Sequence, residues 1–242
     1  MNEKTYDIVV YGATSFVGQI ITNYMSEEYS LNHIRWAIAG RSMSKLVDLK
    51  QSLGSSAENL AVLTADASDL EALTNLCQST QVILSTVGPY DLYGEPLIQA
   101  CCQTGTDYCD LTGEMHWIKR MQEKYSLAAL DSGARIVHAC GFDSIPSDCG
   151  VHFLQKHSVE QHGKACSRIN MGVKRLSGAL SGGTIASMLN MTKQIIKDPS
   201  LRKEFGNPYS CCPADHGFTA RQANISVAYD KHAKSWLAPF MM

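Results

Sequence analysis

The segment that most constrains the fold is residues 6–18, YDIVVYGATSFVG. Its first half is apolar around Ile8–Tyr11, which predicts a buried β-strand, and its second half is a glycine-containing turn that ends at Gly18. A predicted helix opens at Gln19. The first amides of a helix have no partner inside the helix, and the helix dipole favours an anion there. A strand, a glycine-rich turn and a helix in this order therefore predict a site for a dinucleotide pyrophosphate.

The residues of this turn have separate predicted roles. Gly12 suits the positive φ of a tight turn, and Gly18 lets the helix pack close to the strand. Ser15 stands where a third glycine would lie, so its side chain narrows the approach of the phosphates while its hydroxyl offers a donor. Two glycines in such a turn also occur for backbone reasons alone. The predicted cofactor-binding residues here are Gly12, Thr14, Ser15, Phe16, Val17 and Gly18.

Strands and helices alternate along the chain with short links, which predicts an α/β fold with a doubly wound parallel sheet, the Rossmann arrangement. The predicted strands cover residues 8–11, 34–39, 60–65, 82–87, 108–111 and 135–139. The predicted helices cover residues 18–25, 43–53, 69–77, 96–102, 116–130 and 146–157. Because six strands complete such a sheet, we assign residues 1–145 to a Rossmann dinucleotide-binding domain.

The remaining residues, 146–242, predict only part of a second α/β domain for substrate binding or dimerisation. Residues 167–176 alternate enough for a strand, residues 184–197 predict a helix with one apolar stripe, and residues 224–229 predict a last strand. These elements are too few for a separate core, and the chain ends on the apolar run WLAPFMM. We therefore expect a truncated chain, and the apolar end favours a homodimer.

The residues after the second predicted strand indicate which dinucleotide is bound. Ligands of such sheets lie outside the carboxyl ends of the strands, where NAD-binding proteins place an acidic residue after the second strand. This chain has Arg41 and Ser42 there, with Lys45 one turn later. A guanidinium pairs with a 2′-phosphate that a carboxylate would repel, so we predict NADP, held by these three residues. The alternative is that the cations only begin a solvated helix.

Further cofactor contacts are predicted at the ends of the third and fourth strands. Asp66 ends the third strand and either meets the adenine edge or caps the next helix. Thr86, Val87, Gly88 and Pro89 end the fourth strand, which lies under the ribose and nicotinamide in this fold. Gly88 would let the backbone approach the cofactor closely. A simple turn is the competing explanation for this segment.

Four segments together resemble the saccharopine dehydrogenase-like oxidoreductase family, including its trans-acting enoyl reductase branch. They are YGATSFVG at 11–18, AGRS at 39–42, TVGPYDLYGEPLIQACCQTGTDYCDLTGE at 86–114 and CGFDSIPSD at 140–148. The resemblance implies NADP-dependent hydride transfer to a C=N or C=C bond of a small molecule. It also implies that two segments line the active cleft, namely Tyr108-Cys109-Asp110 and Gly141-Phe142-Asp143.

Candidate proton donors or orienting groups also follow the predicted strands. The catalytic candidates are Tyr90, Asp110 and Asp143, with Glu114 as a further candidate. The alternative role of both aspartates is to cap the following helices, and that of Glu114 is to place a favourable charge in a first helical turn. Cys140 suggests the nucleophile of semialdehyde dehydrogenases, but a small core residue is the preferred interpretation. No tyrosine is followed by lysine four places on, which argues against a short-chain dehydrogenase.

Composition narrows the remaining function classes. The 21 basic and 23 acidic side chains give a formal net charge of −2, which offers no reason to expect nucleic acid binding. The nine cysteines form no Cys-x-x-Cys pair, which indicates reduced thiols in the cytoplasm, and the histidine spacing predicts no metal site. The sequence also carries no firm membrane signal. The predicted function is an NADP-dependent oxidoreductase, with a non-catalytic NADP-binding sensor or scaffold as the alternative.

Overall fold

The structure is a computed structural model that describes residues 4–29, 33–175, 177, 181–198, 207, 209–213, 215–217, 219, 227–231 and 233–238. Its strands are β1 (Tyr6–Tyr11), β2 (Trp36–Gly40), β3 (Ala61–Thr64), β4 (Thr80–Ser85), β5 (Asp107–Asp110), β6 (Ile136–Val137), β7 (Ala228–Asp230) and β8 (Ser235–Leu237). Its α-helices are α1 (Phe16–Glu28), α2 (Met43–Ser52), α3 (Leu70–Gln78), α4 (Tyr90–Tyr93), α5 (Glu95–Thr104), α6 (Met115–Ser132), α7 (Ile145–His162) and α8 (Gly182–Lys197).

Strands β1 to β6 form one sheet in the order β3-β2-β1-β4-β5-β6, and every pair in it is parallel. The chain builds outward from β1 in one direction and then from β4 in the other, so the strand order reverses between these two strands. The registers place Val10 of β1 between Ile38 of β2 and Leu84 of β4. This is the strand order of a doubly wound Rossmann sheet, and it confirms the predicted fold class.

Successive side chains of each strand point to opposite faces of the sheet, and helices cover both faces. On one face, Val10 and Ile38 pack with Leu46 and Leu49 of the amphipathic helix α2. On the other face, the sheet packs against α3, α5 and α6 in a larger cluster. That cluster contains, among others, Val9, Tyr11, Ile83, Leu73, Leu97, Ile98, Cys101, Tyr108, Trp117 and Met121.

The structure differs from the sequence prediction at several boundaries. Helix α1 begins at Phe16 rather than Gly18 because the Ser15 side chain accepts a hydrogen bond from the Gly18 amide and caps the helix. The predicted strand over 167–176 is wrong over its described residues 167–175, where no strand occurs. Alternating polarity alone does not make a strand, since a strand also needs a neighbour with which to form hydrogen bonds.

The part of the chain after the sheet contains α7, α8 and a small antiparallel pair of strands. No residue of α7 or α8 is buried. Helix α8 coincides closely with the helix predicted over 184–197. The strand predicted over 224–229 lies partly outside the described residues, and its last two residues, Ala228 and Tyr229, belong to β7, which pairs with β8. The division into two domains at residue 145 stays a prediction.

The close approach of α1 to the preceding turn generates a test of the fold. A Cβ at Gly18 would lie 2.3 Å from the carbonyl oxygen of Gly12 and 2.8 Å from Cα of Ala13. We expect Gly18→Ala to lower the free energy of unfolding, measured by urea denaturation, by about 3 kcal/mol, because backbone must move to admit the methyl group.

The matched control is Gly150→Ala on α7, where an added Cβ meets no atom within 4 Å. Helix propensity alone predicts a gain of about 0.5–1 kcal/mol there. Equal small effects of the two substitutions would contradict the close packing at Gly18.

Candidate functional site

The predicted site residues follow the carboxyl ends of the six parallel strands, so they lie along one edge of the sheet. The segments at this edge are, in the spatial order of the strands, 65–66, 41–45, 12–18, 86–90, 111–114 and 138–143. The reversal of strand order falls between the third and fourth of these segments. A crevice at that point is where open α/β sheets bind dinucleotides.

The glycine turn after β1 has the geometry that its sequence predicted. Gly12 has a φ of +85°, which a residue with a side chain rarely adopts. A Cβ at this position would also lie 2.7 Å from both Thr86 Oγ1 and Val87 Cγ2. Both Gly12 and Gly18 therefore have a packing reason within the protein, independent of any ligand.

A cluster of hydroxyl groups joins the glycine turn to the end of β4. The Ser15 and Thr86 hydroxyl oxygens are 2.9 Å apart, and Thr86 Oγ1 lies 2.9 Å from the Gly12 carbonyl oxygen that can accept its proton. Ser15 Oγ accepts from the Gly18 amide at 2.9 Å. We call this Ser15–Thr86–Gly12 arrangement the hydroxyl clasp. It already uses the Ser15 hydroxyl, so any phosphate would meet the turn through other donors.

The remaining donors are backbone amides at the start of α1. Within the described chain, the amides of Phe16 and Val17 have no backbone acceptor, whereas Gln19 donates to the Ser15 carbonyl oxygen at 2.9 Å. Open amides in the first helical turn are the groups that hold phosphate at a helix N-terminus. The Phe16 side chain is 67% exposed beside them, and Thr14 is partly exposed.

The cations predicted to select NADP lie after β2. Arg41 and Lys45 are both exposed to solvent, and Ser42 occupies the N-cap position of α2 without a side-chain capping bond. The Ser42 hydroxyl instead lies 3.2 Å from that of Ser44. The structure therefore brings two positive charges and a hydroxyl to the carboxyl end of β2.

Asp66 follows β3 next to this cationic segment. Its carboxylate accepts from the Ser68 hydroxyl at 2.6 Å and from the Ser68 amide at 2.9 Å. These bonds, with a smaller contribution from the nearby Arg41 charge, lower the pKa of Asp66 below its usual value. The cap of α3 is Asp69, which accepts from the Ala72 amide at 3.0 Å, so Asp66 does not cap the helix.

The segment after β4 packs directly against the glycine turn. Thr86 is buried, Val87 is partly buried, and the Gly88–Pro89 peptide bond is cis. The Thr86 amide donates to the Tyr11 carbonyl oxygen at 2.9 Å, which continues the pairing of β4 with β1. A Cβ at Gly88 would only come into ordinary contact with the Tyr90 ring, at 3.4 Å.

Tyr90 and Glu114 form a buried structural pair. The Tyr90 hydroxyl donates to the Ser85 carbonyl oxygen at 3.0 Å, and its ring packs on Trp117. Burial, reinforced by the negative charge of Asp110, raises the pKa of Tyr90 far above its usual range. Glu114 accepts from the Tyr90 and Asp91 amides at 2.9 Å each, so it caps the short helix α4.

Asp110, the last residue of β5, is a fully engaged buried carboxylate. It accepts hydrogen bonds from the Tyr108 hydroxyl at 2.9 Å, the Thr112 amide at 3.1 Å and the Ala139 amide at 2.9 Å. The fourth partner is Nδ1 of His138, at 2.7 Å. Asp110 thus fixes the loops that follow β5 and β6 rather than capping a helix.

Asp143 and Cys140 lie in the loop between β6 and α7. Asp143 is exposed, and the N-cap of α7 is the next residue, Ser144, without a side-chain capping bond. Cys140 is partly buried, and desolvation followed by the Asp110 charge raises its thiol pKa. A protonated thiol is a poor nucleophile, which agrees with the preferred structural interpretation of Cys140.

His138 is the site residue that sequence reasoning missed. It follows β6 directly at the carboxyl edge and pairs with Asp110, which follows from the register of β5 and β6. The signal in the sequence is its position, since the polar residues predicted to line the site follow the other strands. The sequence does not single out this histidine because it lies inside a segment that predicts a strand through residue 139.

Polar side chains of α8 contact the same edge through two acidic residues. Asp91 accepts from Asn190 at 3.1 Å and from Gln194, and it also pairs with Arg120 of α6. Glu114 accepts from the Ser187 hydroxyl at 2.7 Å. The apolar stripe predicted on α8 faces away from these contacts and is exposed, as Ile185, Met188, Leu189 and Ile196 show.

Two features are absent from the described residues. No helix in the described ranges is both long and apolar enough to cross a membrane. Among the same residues, no group of three or more His, Cys, Asp or Glu side chains is arranged to hold a metal ion.

Comparison with known proteins identifies the family. Residues 8–137 match the family described as the saccharopine dehydrogenase NADP binding domain. The chain belongs to the saccharopine dehydrogenase-like family. This family resemblance rests on the whole sheet, from β1 to β6, and confirms the relationship predicted from the four sequence segments.

The relatives include proteins named for a reductase activity. One from Mycobacterium tuberculosis, provisionally named as a trans-acting enoyl reductase, is 42% identical over 210 residues, which cover 87% of this chain and 50% of the relative. A trans-acting enoyl reductase from Mycobacterium bovis is 40% identical over 86% of this chain and 50% of its own length. The chain therefore spans about half the length of these relatives.

The contacts of α8 generate a prediction of pH dependence. Burial of Asp91, whose side chain is 5% exposed, would by itself raise its pKa, but the Arg120, Gln194 and Asn190 bonds outweigh burial and lower it. A lowered folded-state pKa adds stability above the unfolded-state value of about 3.9, and this stability is lost as the pH falls through the folded-state pKa. The free-energy difference between wild type and Asp91→Asn should therefore be largest above about pH 5 and shrink toward pH 3.

Urea denaturation across this pH range measures the effect, with Asp131→Asn on the exposed face of α6 as the control. The Asp91→Asn difference should vary with pH more than the control difference does. Equal pH dependence of the two differences would show that the Asp91 carboxylate charge does not stabilise its contacts with Arg120 and α8.

Proposed function

We propose that this protein is an NADP-dependent reductase that acts on a C=C bond of a small, enoyl-type molecule. The observation that carries the proposal is the placement of Arg41 and Lys45, without an acidic residue, in the segment that directly follows β2. The family's NADP-binding description and the enoyl reductase names of the relatives support the same conclusion. A non-catalytic sensor or scaffold is the less favoured alternative.

The geometry of the described residues is compatible with bound NADP. The open amides of Phe16 and Val17 would hold the pyrophosphate, and Arg41, Ser42 and Lys45 would hold the 2′-phosphate. Thr86, Val87, Gly88 and Pro89 would lie under the nicotinamide half. Gly12 and Gly18 shape the turn, while Thr14, Ser15 and Asp66 would border the bound nucleotide. When bound, the reduced nicotinamide supplies a hydride.

The substrate side of the proposal follows from the relatives. Enoyl reduction requires a C=C bond conjugated to a carbonyl group, whereas the saccharopine branch of the family reduces C=N. Because the relatives with 40% or higher identity carry the enoyl name, we favour the C=C class. A cytoplasmic location and a homodimer are predictions that accompany this function.

The role of Arg41 gives the first test. We expect Arg41→Ala to raise the Kd for NADPH about 10- to 100-fold while changing the Kd for NADH less than about 3-fold, because only NADPH carries the 2′-phosphate that the guanidinium would bind. Fluorescence titration of the full chain with each cofactor measures both values.

Arg35→Ala is the matched control, since Arg35 directly precedes β2 and pairs with Asp7 at the opposite end of the strand. This variant should bind both cofactors as the wild type does. An equal loss of NADPH and NADH affinity in Arg41→Ala would overturn the assigned role of Arg41.

The substrate class gives the second test. Loss of NADPH absorbance is followed with the N-acetylcysteamine thioester of crotonic acid as the C=C probe and with 1-piperideine as the C=N probe. We expect the protein to oxidise NADPH with the thioester and not with the imine. Reduction of the imine alone would place the activity in the saccharopine-type class, and NADPH binding without turnover of either would favour the non-catalytic alternative.

A further inference from the structure

The carboxyl ends of β5 and β6 bring a histidine and a carboxylate together in one row of the sheet. Ser85 of β4 pairs with Asp110 of β5, and Cys109 pairs with Val137 of β6, so His138 follows next in the row. Adjacent strands lie about 4.8 Å apart, which puts His138 about 10 Å from the end of β4. In this strand order, β4 to β6 carry the nicotinamide half of a dinucleotide.

The His138 ring is held in one orientation from three sides. Its Nδ1 lies 2.7 Å from Asp110 Oδ2, and its ring makes edge contacts with Trp117 and Tyr108 at centroid distances of 4.9 and 5.8 Å. The side chain is 7% exposed. A carboxylate on Nδ1 keeps a proton on that nitrogen, so Nε2 is the atom left for other chemistry. Among the described residues, Nε2 has no hydrogen-bond partner.

The residue after His138 has an unfavourable backbone conformation that lets its amide donate to Asp110. Ala139 has a φ of +57°, which is unfavourable for a residue with a side chain. The Ala139 amide donates to Asp110 Oδ1 at 2.9 Å, and the Cys140 amide donates to the Asp110 carbonyl oxygen at 2.7 Å. Backbone strain of this kind persists where the surroundings over-determine it, and it concentrates at functional sites.

The nearby polar groups of Tyr90 and Asp110 already make hydrogen bonds within the protein. The Tyr90 hydroxyl donates to a backbone carbonyl oxygen, and the Asp110 carboxylate accepts four hydrogen bonds. Neither therefore has a proton directed toward a ligand. Asp143 is exposed in the loop before α7. His138 is the group here that combines a fixed orientation with an available ring nitrogen.

We propose that His138 is the catalytic proton donor of the reductase, with Asp110 as its positioning residue. The inference rests on the proposed function and adds a residue to it. As the carbon at one end of the C=C bond takes up the hydride, the electron pair of that bond moves to the other end. His138 in its imidazolium form gives the Nε2 proton to that position. Nδ1–H stays bonded to Asp110, and the neutral ring regains a proton from solvent.

This assignment balances the reaction and uses Asp110 as a carboxylate. One hydride and one proton add across the C=C bond, so the substrate is reduced and the nicotinamide is oxidised. The Asp110 carboxylate lies 2.7 Å from Nδ1, the ring nitrogen that keeps its proton, as a buried carboxylate does beside the histidine of a catalytic triad. The same carboxylate fixes the tautomer, so the acceptor and donor roles of the two ring nitrogens do not exchange.

The placement of His138 is tested by NMR of the full chain labelled with ¹³C,¹⁵N-histidine. The chain has eight histidines, and His138→Gln and His152→Gln assign two of their ring signals. We expect saturating NADP⁺ to shift the His138 signal, whereas 2′,5′-ADP, which lacks the nicotinamide, leaves it unchanged. The signal of His152, exposed on α7, should change with neither ligand. Ring ¹⁵N shifts should report a proton on Nδ1 of His138.

The outcomes separate this inference from the function on which it rests. If both nucleotides bind and NADP⁺ leaves the His138 signal unchanged, the inference is wrong while the cofactor assignment stands. If neither nucleotide binds, the proposed function fails and the inference fails with it. A proton on Nε2 rather than Nδ1 in the neutral ring would also overturn the assigned role.

Turnover supplies the second readout, with the crotonic thioester as the probe. His138→Gln should lower kcat about 100-fold or more while the Kd for NADPH changes less than about 2-fold, and His152→Gln should retain the wild-type rate. A wild-type rate in His138→Gln would overturn the inference. If the wild type binds NADPH and does not reduce the thioester, the C=C class of the proposed function fails, and the NMR comparison alone decides the placement of His138.

Discussion

The contact on which the rest of the structure depends is the close approach of helix α1 to the end of strand β1. Gly18 lies against the Gly12 carbonyl group at a distance that no side chain would permit. This contact sets the angle at which α1 leaves the sheet, and with it the direction of the open amides at the helix start. It also brings Gly12 against Thr86, so the two central strands and the helix between them are fixed as one unit.

The edge of the sheet divides into two halves with different physical character. The half formed by β1 to β3 offers exposed cations and backbone amides, which suit phosphate groups. The half formed by β4 to β6 contains buried carboxylates that accept hydrogen bonds from amides, hydroxyls and His138. The half formed by β1 to β3 can therefore attract negatively charged groups, whereas the half formed by β4 to β6 holds its polar side chains in fixed positions.

The sequence predicted the strands of the parallel sheet well because alternating apolar strands and amphipathic helices are local signals, as Val10 and Leu46 illustrate. It predicted less of the site because the decisive contacts are long-range. Nothing near Glu114 in the sequence indicates that it caps α4, and nothing near Ser15 indicates that its hydroxyl meets Thr86. His138 likewise becomes a candidate only through its contact with Asp110, which lies 28 positions earlier in the sequence. The strand predicted over 167–176 is wrong over its described residues 167–175 for the same reason, since strand pairing is also a long-range property.

The hydroxyl clasp joins two segments of the nucleotide crevice that are synthesised at different times. Thr86 lies 71 positions after Ser15, so a growing chain has its glycine turn long before the residue that braces it. Until β4 pairs with β1, Gly12 lacks the Thr86 and Val87 side chains that pack against it. The shape of the crevice is therefore acquired together with the middle of the sheet, and cofactor binding would be linked to sheet closure rather than to the turn alone.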